Sequence, residues 1–106
     1  MNKQRRKTIY GITRLLERLS DADTKENLLE KCELYKGMIE DIQSDEEDAF
    51  DNMPENLQGS MRGEESEEAI DSLQNAYDAL DDLSDESSRE EIMNAISNAI
   101  DELGCI

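Results

Sequence analysis

Apolar residues recur every three or four positions along most of this chain, and the phase of that recurrence breaks at a few definite places. Ile9, Ile12, Leu16 and Leu19 are spaced 3, 4, 3, with Leu15 widening the stripe. This spacing predicts a first helix over residues 3–19. Carried onward, the same phase needs apolar side chains at 23 and 26, which hold Asp23 and Glu26. The stretch SDADTKEN (20–27) therefore reads as a break, and Asp23 or Thr24 can cap the helix that follows. A second helix is predicted over 24–53, on the stripe Leu28, Cys32, Tyr35, Ile39, Ile42, Glu46, Ala49 and Met53. Glu46 is a charge in that seam, so the seam frays there or faces a basic partner.

The helix must stop near Met53, because the residue before Pro54 is driven out of the helical region. Residues 54–63, PENLQGSMRG, are predicted to be the turn, with Leu57 and Met61 packing back over it. At ten residues this turn is longer than most helix–helix connections. A third helix, 64–83, opens on four carboxylates, Glu64, Glu65, Glu67 and Glu68, which suit a helix N-terminus. Its stripe is Ile70, Leu73, Tyr77 and Leu80, with Ala69 and Ala76 beside it. A second break at 84–88 repeats the first in outline: LSDADTKENLL from Leu19 and LSDESSREEIM from Leu83. An internal repeat produces such a likeness, and so does helix-capping chemistry alone. Ser88 and Glu91 have capping-box spacing before a last helix, 89–103, on Ile92, Ile96, Ala99 and Leu103, with Gly104 placed to end it.

The expected fold is all-α, in one domain over residues 1–106. A basic head (1–19) precedes an acidic hairpin (24–83, tip 54–63), and a C-terminal helix (88–104) follows. The inner helices pair antiparallel, coiled-coil-like, and the outer helices meet at the open end. There the head would lie beside Glu90, Glu91, Asp101 and Glu102. A single hairpin would leave its stripe (Leu28, Tyr35, Ile39, Ile42, Ile70, Leu73, Tyr77, Leu80) open on one side. Homodimerisation into a four-helix bundle, or a partner over the stripe, would cover it.

Composition sharpens this picture. Only 36% of residues are apolar and 37% are charged, with a net charge of −17. Residues 1–18 hold six cations against Glu17, a net of +5, which leaves −22 for the remainder. Between Glu40 and Glu86 there are eighteen carboxylates and one cation, Arg62. Arg62 is placed to tie Glu55 or Glu65. With no His, imidazole catalysis and His ligation of zinc are ruled out. Cys32 and Cys105 form no paired motif and read as small apolar residues of a reducing cytoplasm. No secretory signal or membrane span is read, and no cofactor is implied. Asp21-x-Asp23 fails as a calcium loop because Lys25 follows where a ligand belongs. Glu30-x-x-Glu33 and Glu68-x-x-Asp71 have the spacing of Mg²⁺-binding carboxylate pairs on facing helices of nucleotide pyrophosphohydrolases. In a chain this acidic, however, such spacings arise by chance.

The remaining candidate surface is the acid itself. The eighteen carboxylates, over an inner hairpin of roughly 30 Å, approach the charge density of a nucleic-acid duplex, about one per 1.7 Å. Glu40, Asp41, Asp45, Glu47, Asp48 and Asp51 on one arm, with Glu64, Glu67, Glu68, Asp71, Asp78 and Asp82 on the other, are placed to occupy a basic channel. Such a surface fits a basic nucleic-acid-binding protein rather than nucleic acid or a membrane. The plainer reading is a solvated face that keeps a small bundle soluble. The stretch AFDNMPENLQGSMRGEESEEAIDSLQNAYDALDDL, with NMPENLQ-x-S-x-RGE followed by EEAI-x-x-L-x-x-A, resembles a family of small acidic helical proteins of Firmicutes and their phages. The resemblance covers about Asp45 to Leu83 well and the NKQRRK start loosely, and segments 20–36 and 84–106 depart from it. It implies a phage or mobile-element setting, in which proteins of this size include many inhibitors of host defence, and it names no site residues. The sequence expectation is a non-enzymatic inhibitor that blocks a basic DNA or RNA channel in a host defence nuclease. The alternatives are an adaptor acting through its apolar stripe, and the Mg²⁺ enzyme.

Overall fold

The fold is that of a computed structural model describing residues 2–20 and 22–106. Five helices follow in order: α1 Lys3–Glu17, α2 Lys25–Asp51, α3 Glu55–Gln58, α4 Met61–Asp81 and α5 Arg89–Gly104. The three starts with capping side chains are satisfied locally. Asn2 accepts from Arg5 N at 2.8 Å, Thr24 from Asn27 N at 3.1 Å, and Ser88 from Glu91 N at 3.1 Å. Thr24 is thus the cap of α2, while the Asp23 carboxylate accepts from Ser20 N and from the Asn27 amide. Among the described residues no backbone φ is positive, so Gly104 is simply the last residue of α5 and makes no left-handed terminus.

The outer helices fold back on the inner ones, a choice that the capped breaks left open in the sequence. The chain reverses at 18–24 and again at 82–88, so α1 folds back along α2 and α5 folds back along α4. α1 also packs on α5, and the four long helices form an up-down-up-down bundle with α1 diagonal to α4. The molecule is 49 × 22 × 18 Å. The stripe left open for a second copy is covered by the chain's own α1 and α5. Leu28, Tyr35, Ile39, Ile42, Leu73 and Leu80 are buried together with Ile9, Ile12, Leu16, Ile92, Ile96 and Leu103. Ile70 and Tyr77 are only half-buried, because α4 faces both α2 and α5 and turns Ala69 and Ala76 to the centre. The small alanines let the helices approach closely while the larger side chains lie at the flank.

The tip also differs from the expected plain turn. α2 ends at Asp51, Pro54 starts the one-turn α3, and α4 begins at Met61, earlier than the carboxylate cluster suggested. The Gln58 amide donates to the carbonyls of Phe50 and Met53 at 3.2 and 3.1 Å, which satisfies the open C-terminal end of α2. Gly63 sits against the Gln58 backbone so closely that an added Cβ would fall 2.7 Å from the Gln58 Cα and closer still to its carbonyl. Leu57 and Met61 do not pack back; they are 37% and 75% exposed. No residue from Glu47 to Arg62 is buried, so the tip projects beyond the four-helix core.

The likeness of the two breaks extends through both halves. Adding 64 to Ile9, Ile12, Leu16, Leu28, Cys32, Tyr35 and Ile39 gives Leu73, Ala76, Leu80, Ile92, Ile96, Ala99 and Leu103, and every one of these positions is buried. The loops match bond for bond. Ser20 N donates to Asp23 as Ser84 N does to Ser87, and Ala22 N donates to Ser20 as Glu86 N does to Ser84. Capping alone accounts for the loop bonds but not for the matched interior. The α1–α2 and α4–α5 hairpins therefore share one buried pattern, offset by 64 residues, and are joined by the tip. Among the described residues no helix is long and apolar enough to cross a membrane.

Candidate functional site

An uncovered surface lies along α2 and α4, on the side away from α1 and α5. All twelve carboxylates singled out from the sequence, Glu40 to Asp51 on α2 and Glu64 to Asp82 on α4, are exposed. They do not all share one face. Glu40 and Glu47 flank the α2–α4 groove, whereas Asp41, Asp45 and Asp48 continue round the outside of α2. At 1.5 Å per residue, the exposed carboxylates from Glu40 to Asp51 and from Glu64 to Asp82 run at roughly one per 3 Å along each helix. One strand of a duplex carries one charge per about 3.4 Å.

The groove floor is neutral and ordered. The Gln43 amide donates to Gln74 at 2.7 Å and to Glu47 at 3.2 Å, and the Gln74 amide donates to Asp78 at 2.8 Å. A hollow of about 350 Å³ lies over these amides, lined also by Glu40, Ser44 and Tyr77. Toward the loop end, Lys36 bonds Asp81 and Glu33, each at 3.0 Å, and sits 5.6 Å from the centre of the Tyr77 ring. The bond to Asp81, then that to Glu33, holds the ammonium above the ordinary lysine range against a smaller opposing effect of burial. Lys36 thus offsets part of the negative charge at the loop end of the face.

Glu46, the charge in the predicted seam, is 1% exposed. Its basic partner is in the same chain. Arg5 Nε donates to one carboxylate oxygen at 2.6 Å and Ser66 Oγ to the other at 2.7 Å. Burial acts to raise this carboxyl, but the hydrogen bonds it accepts, those from Ser66 and Arg5 among them, outweigh it and hold it below its usual value. The basic head is therefore anchored through Arg5 near the tip end of α2, and among the described residues it forms no ion pair with Glu90, Glu91, Asp101 or Glu102. Arg6 shares a hollow with Glu65, Glu68 and the C-terminal Cys105 and Ile106. The available signal was an acidic seam position in α2, with the small polar Ser66 in the facing row of α4.

Other candidates separate. The Gln43–Gln74 and Lys36–Asp81 bonds fix the register of α2 against α4. In that register Glu30 and Glu33 lie opposite residues 84–87, and Glu68 and Asp71 lie opposite 46–49. The two pairs are thus about 20 Å apart along the bundle. Among the described residues no three Cys, Asp or Glu side chains gather as a metal-holding group; Asp21 of the rejected calcium loop lies outside those residues. Arg62 makes no ion pair with Glu55 or Glu65; it lines a groove with Arg5, Glu46, Met53 and Leu57. Both cysteines are free, and burial pushes the Cys32 thiol up to about 11, which keeps it protonated and unreactive. Comparison of the chain with models of known protein families, with curated proteins and with solved structures finds no match.

Proposed function

We propose that this protein is a non-catalytic inhibitor that works as an acidic nucleic-acid mimic, its projecting tip and α2–α4 face entering a basic DNA- or RNA-binding channel. The observation that carries this reading is the run of exposed carboxylates along α2 and α4, strand-like in density along each helix, with Arg62 the one cation among the described residues between Glu40 and Glu86. The resemblance of residues 45–83 to small acidic phage proteins supports a host defence nuclease, in the host cytoplasm, as the class of target. The adaptor reading is weaker, because the stripe it needs is buried inside the chain.

The test is competition. A nuclease captured on the immobilised protein is loaded with a fluorescent duplex, and the protein is added at rising salt. Displacement should weaken steeply with salt, because many charge contacts are made at once. Lys at Asp45, Glu47, Glu67 and Glu68 together should abolish displacement while leaving the helical signal intact. Displacement that ignores both salt and charge reversal would overturn the reading.

A further inference from the structure

The two hairpins differ most on their outward faces. On α1 the exposed stripe opposite the buried Ile9, Ile12 and Leu16 carries Lys3, Lys7, Arg14 and Arg18. The equivalent positions on α4, each 64 residues later, are Glu67, Asp71, Asp78 and Asp82, also exposed. Every one of the four is a charge reversal. The spacing within each stripe is 4, 7, 4. Among the described residues, none of the four cations on α1 enters an ion pair within the chain. Tyr10, at the centre of the basic stripe, is 61% exposed and has no role in the core.

We propose that the basic stripe of α1 docks on the acidic stripe of α4 of a second copy, so that copies associate side by side. Because α1 and α4 are diagonal members of an up-down-up-down bundle, they run in the same direction and their outward faces point away from each other. One chain cannot satisfy its own stripes. Moving a copy sideways without rotation sets α1 beside the neighbour's α4, with each residue opposite the one 64 later. Four opposite-charge pairs then face one another, and Tyr10 meets Gln74. The contact is heterologous, and repetition extends it into an open row with no closed dimer.

The net charge of −17 per copy opposes this association, and distance decides the balance. At physiological salt the screening length is about 8 Å, shorter than the 22 × 18 Å cross-section, so facing stripes dominate. At about 0.01 M it is about 30 Å, and whole-copy repulsion is felt. Association should therefore peak near about 0.1 M salt and fall on either side.

Sedimentation velocity over a concentration series tests this. The wild-type chain should show species growing beyond a dimer at intermediate salt. Two charge-reversed chains decide the contact. In the first, Glu67→Lys, Asp71→Lys, Asp78→Lys and Asp82→Lys make both stripes basic. In the second, Lys3→Glu, Lys7→Glu, Arg14→Glu and Arg18→Glu make both acidic. Each alone should be monomeric, and their equimolar mixture should associate again. A wild-type chain that stays monomeric at every salt overturns the proposal, whether or not the variants keep their helical signal. A mixture of folded variants that stays monomeric also overturns it. The contact uses four of the carboxylates that the mimic reading sends into the channel, so a second copy and the target would compete for them; failure of the self-contact would leave those carboxylates free and the mimic reading standing.

Discussion

The α1–α2 and α4–α5 hairpins share an interior and oppose each other in surface charge. Residues that fill the core recur at matched positions, with Leu16 against Leu80 and Ile39 against Leu103. The solvent-facing positions diverge, as in Lys7 against Asp71. Burial constrains side-chain volume, whereas an exposed helix face tolerates either sign of charge at little cost in stability. The fold is thus carried by the common pattern, and what the protein binds is carried by the difference. The match is incomplete: the buried Ser66, Ala69, Ser87 and Ala95 correspond to Asn2, Arg5, Asp23 and Lys31, none of which is buried. Arg5 stands where the second half has the buried Ala69, because Glu46, beyond the reach of the repeat, needs a cation.

The largest effect that could break the equivalence is a cavity made at matched sites. Leu16→Ala and Leu80→Ala should each cost about 2–5 kcal/mol by urea unfolding, since both side chains are fully enclosed. If the halves are copies of one unit, the two costs should agree within about 1 kcal/mol. A much cheaper Leu16→Ala would mean that α1 is only loosely docked.

Arg5→Ala makes position 5 resemble its counterpart. It leaves Glu46 buried with one fewer donor, at a cost of about 1–3 kcal/mol near neutral pH. The sign with pH is fixed. A carboxyl held below its unfolded value adds stability above that value, and loses it as pH falls through the folded one. The wild-type advantage over Arg5→Ala should therefore shrink as acid protonates Glu46. A constant gap across an acid titration of stability would show that Arg5 acts by packing alone.

Much of this was legible in the sequence, and what was missed has a physical pattern. The helical type and the four long helices followed from periodicity, the one-turn α3 did not, and the first break followed from Asp23 and Glu26 falling on core positions. The reversal at those breaks was hidden, because a capped break serves a continuing arm and a returning one equally. It is decided by the match of α1 and α5 to the inner seams, which is a pairing property and not a local one. The phase of α4 was misjudged at Ile70 and Tyr77 for the same reason. Hydrophobicity ranks them above Ala69 and Ala76, but two neighbouring helices demand small residues at the centre. The acidic surface and its charge density were readable from the sequence and the helix rise, and how the carboxylates divide between the α2–α4 groove and the outside of α2 only once the helices were placed.

Gly63→Ala tests the tip, the one long segment without a counterpart. An added methyl group meets the Gln58 backbone, which cannot rotate away as a side chain would. The expected cost is about 1–3 kcal/mol if α3 stays in place. If α3 peels off instead, global stability barely changes and amide exchange at 53–62 accelerates. Either result separates the tip from the two hairpins, whose exchange should remain slow.

The smallest effect gives the finest comparison. Thr24 and Ser88 occupy equivalent positions, each accepting from the backbone N–H three residues on at 3.1 Å. Replacing either with Ala should cost about 1 kcal/mol. The flanking charges are not equal. The first turn of α5 holds Glu90 and Glu91, whereas the first turn of α2 holds Glu26 alone. Carboxylates near a helix N-terminus add a few tenths of a kcal/mol each, and that support is screened by salt. Ser88→Ala should therefore be the milder of the two at low salt, with the gap closing as salt rises. Equal costs at every salt would show that the hydroxyl bond alone sets the start of each second helix, and that the surface charges of the two halves leave their folding untouched.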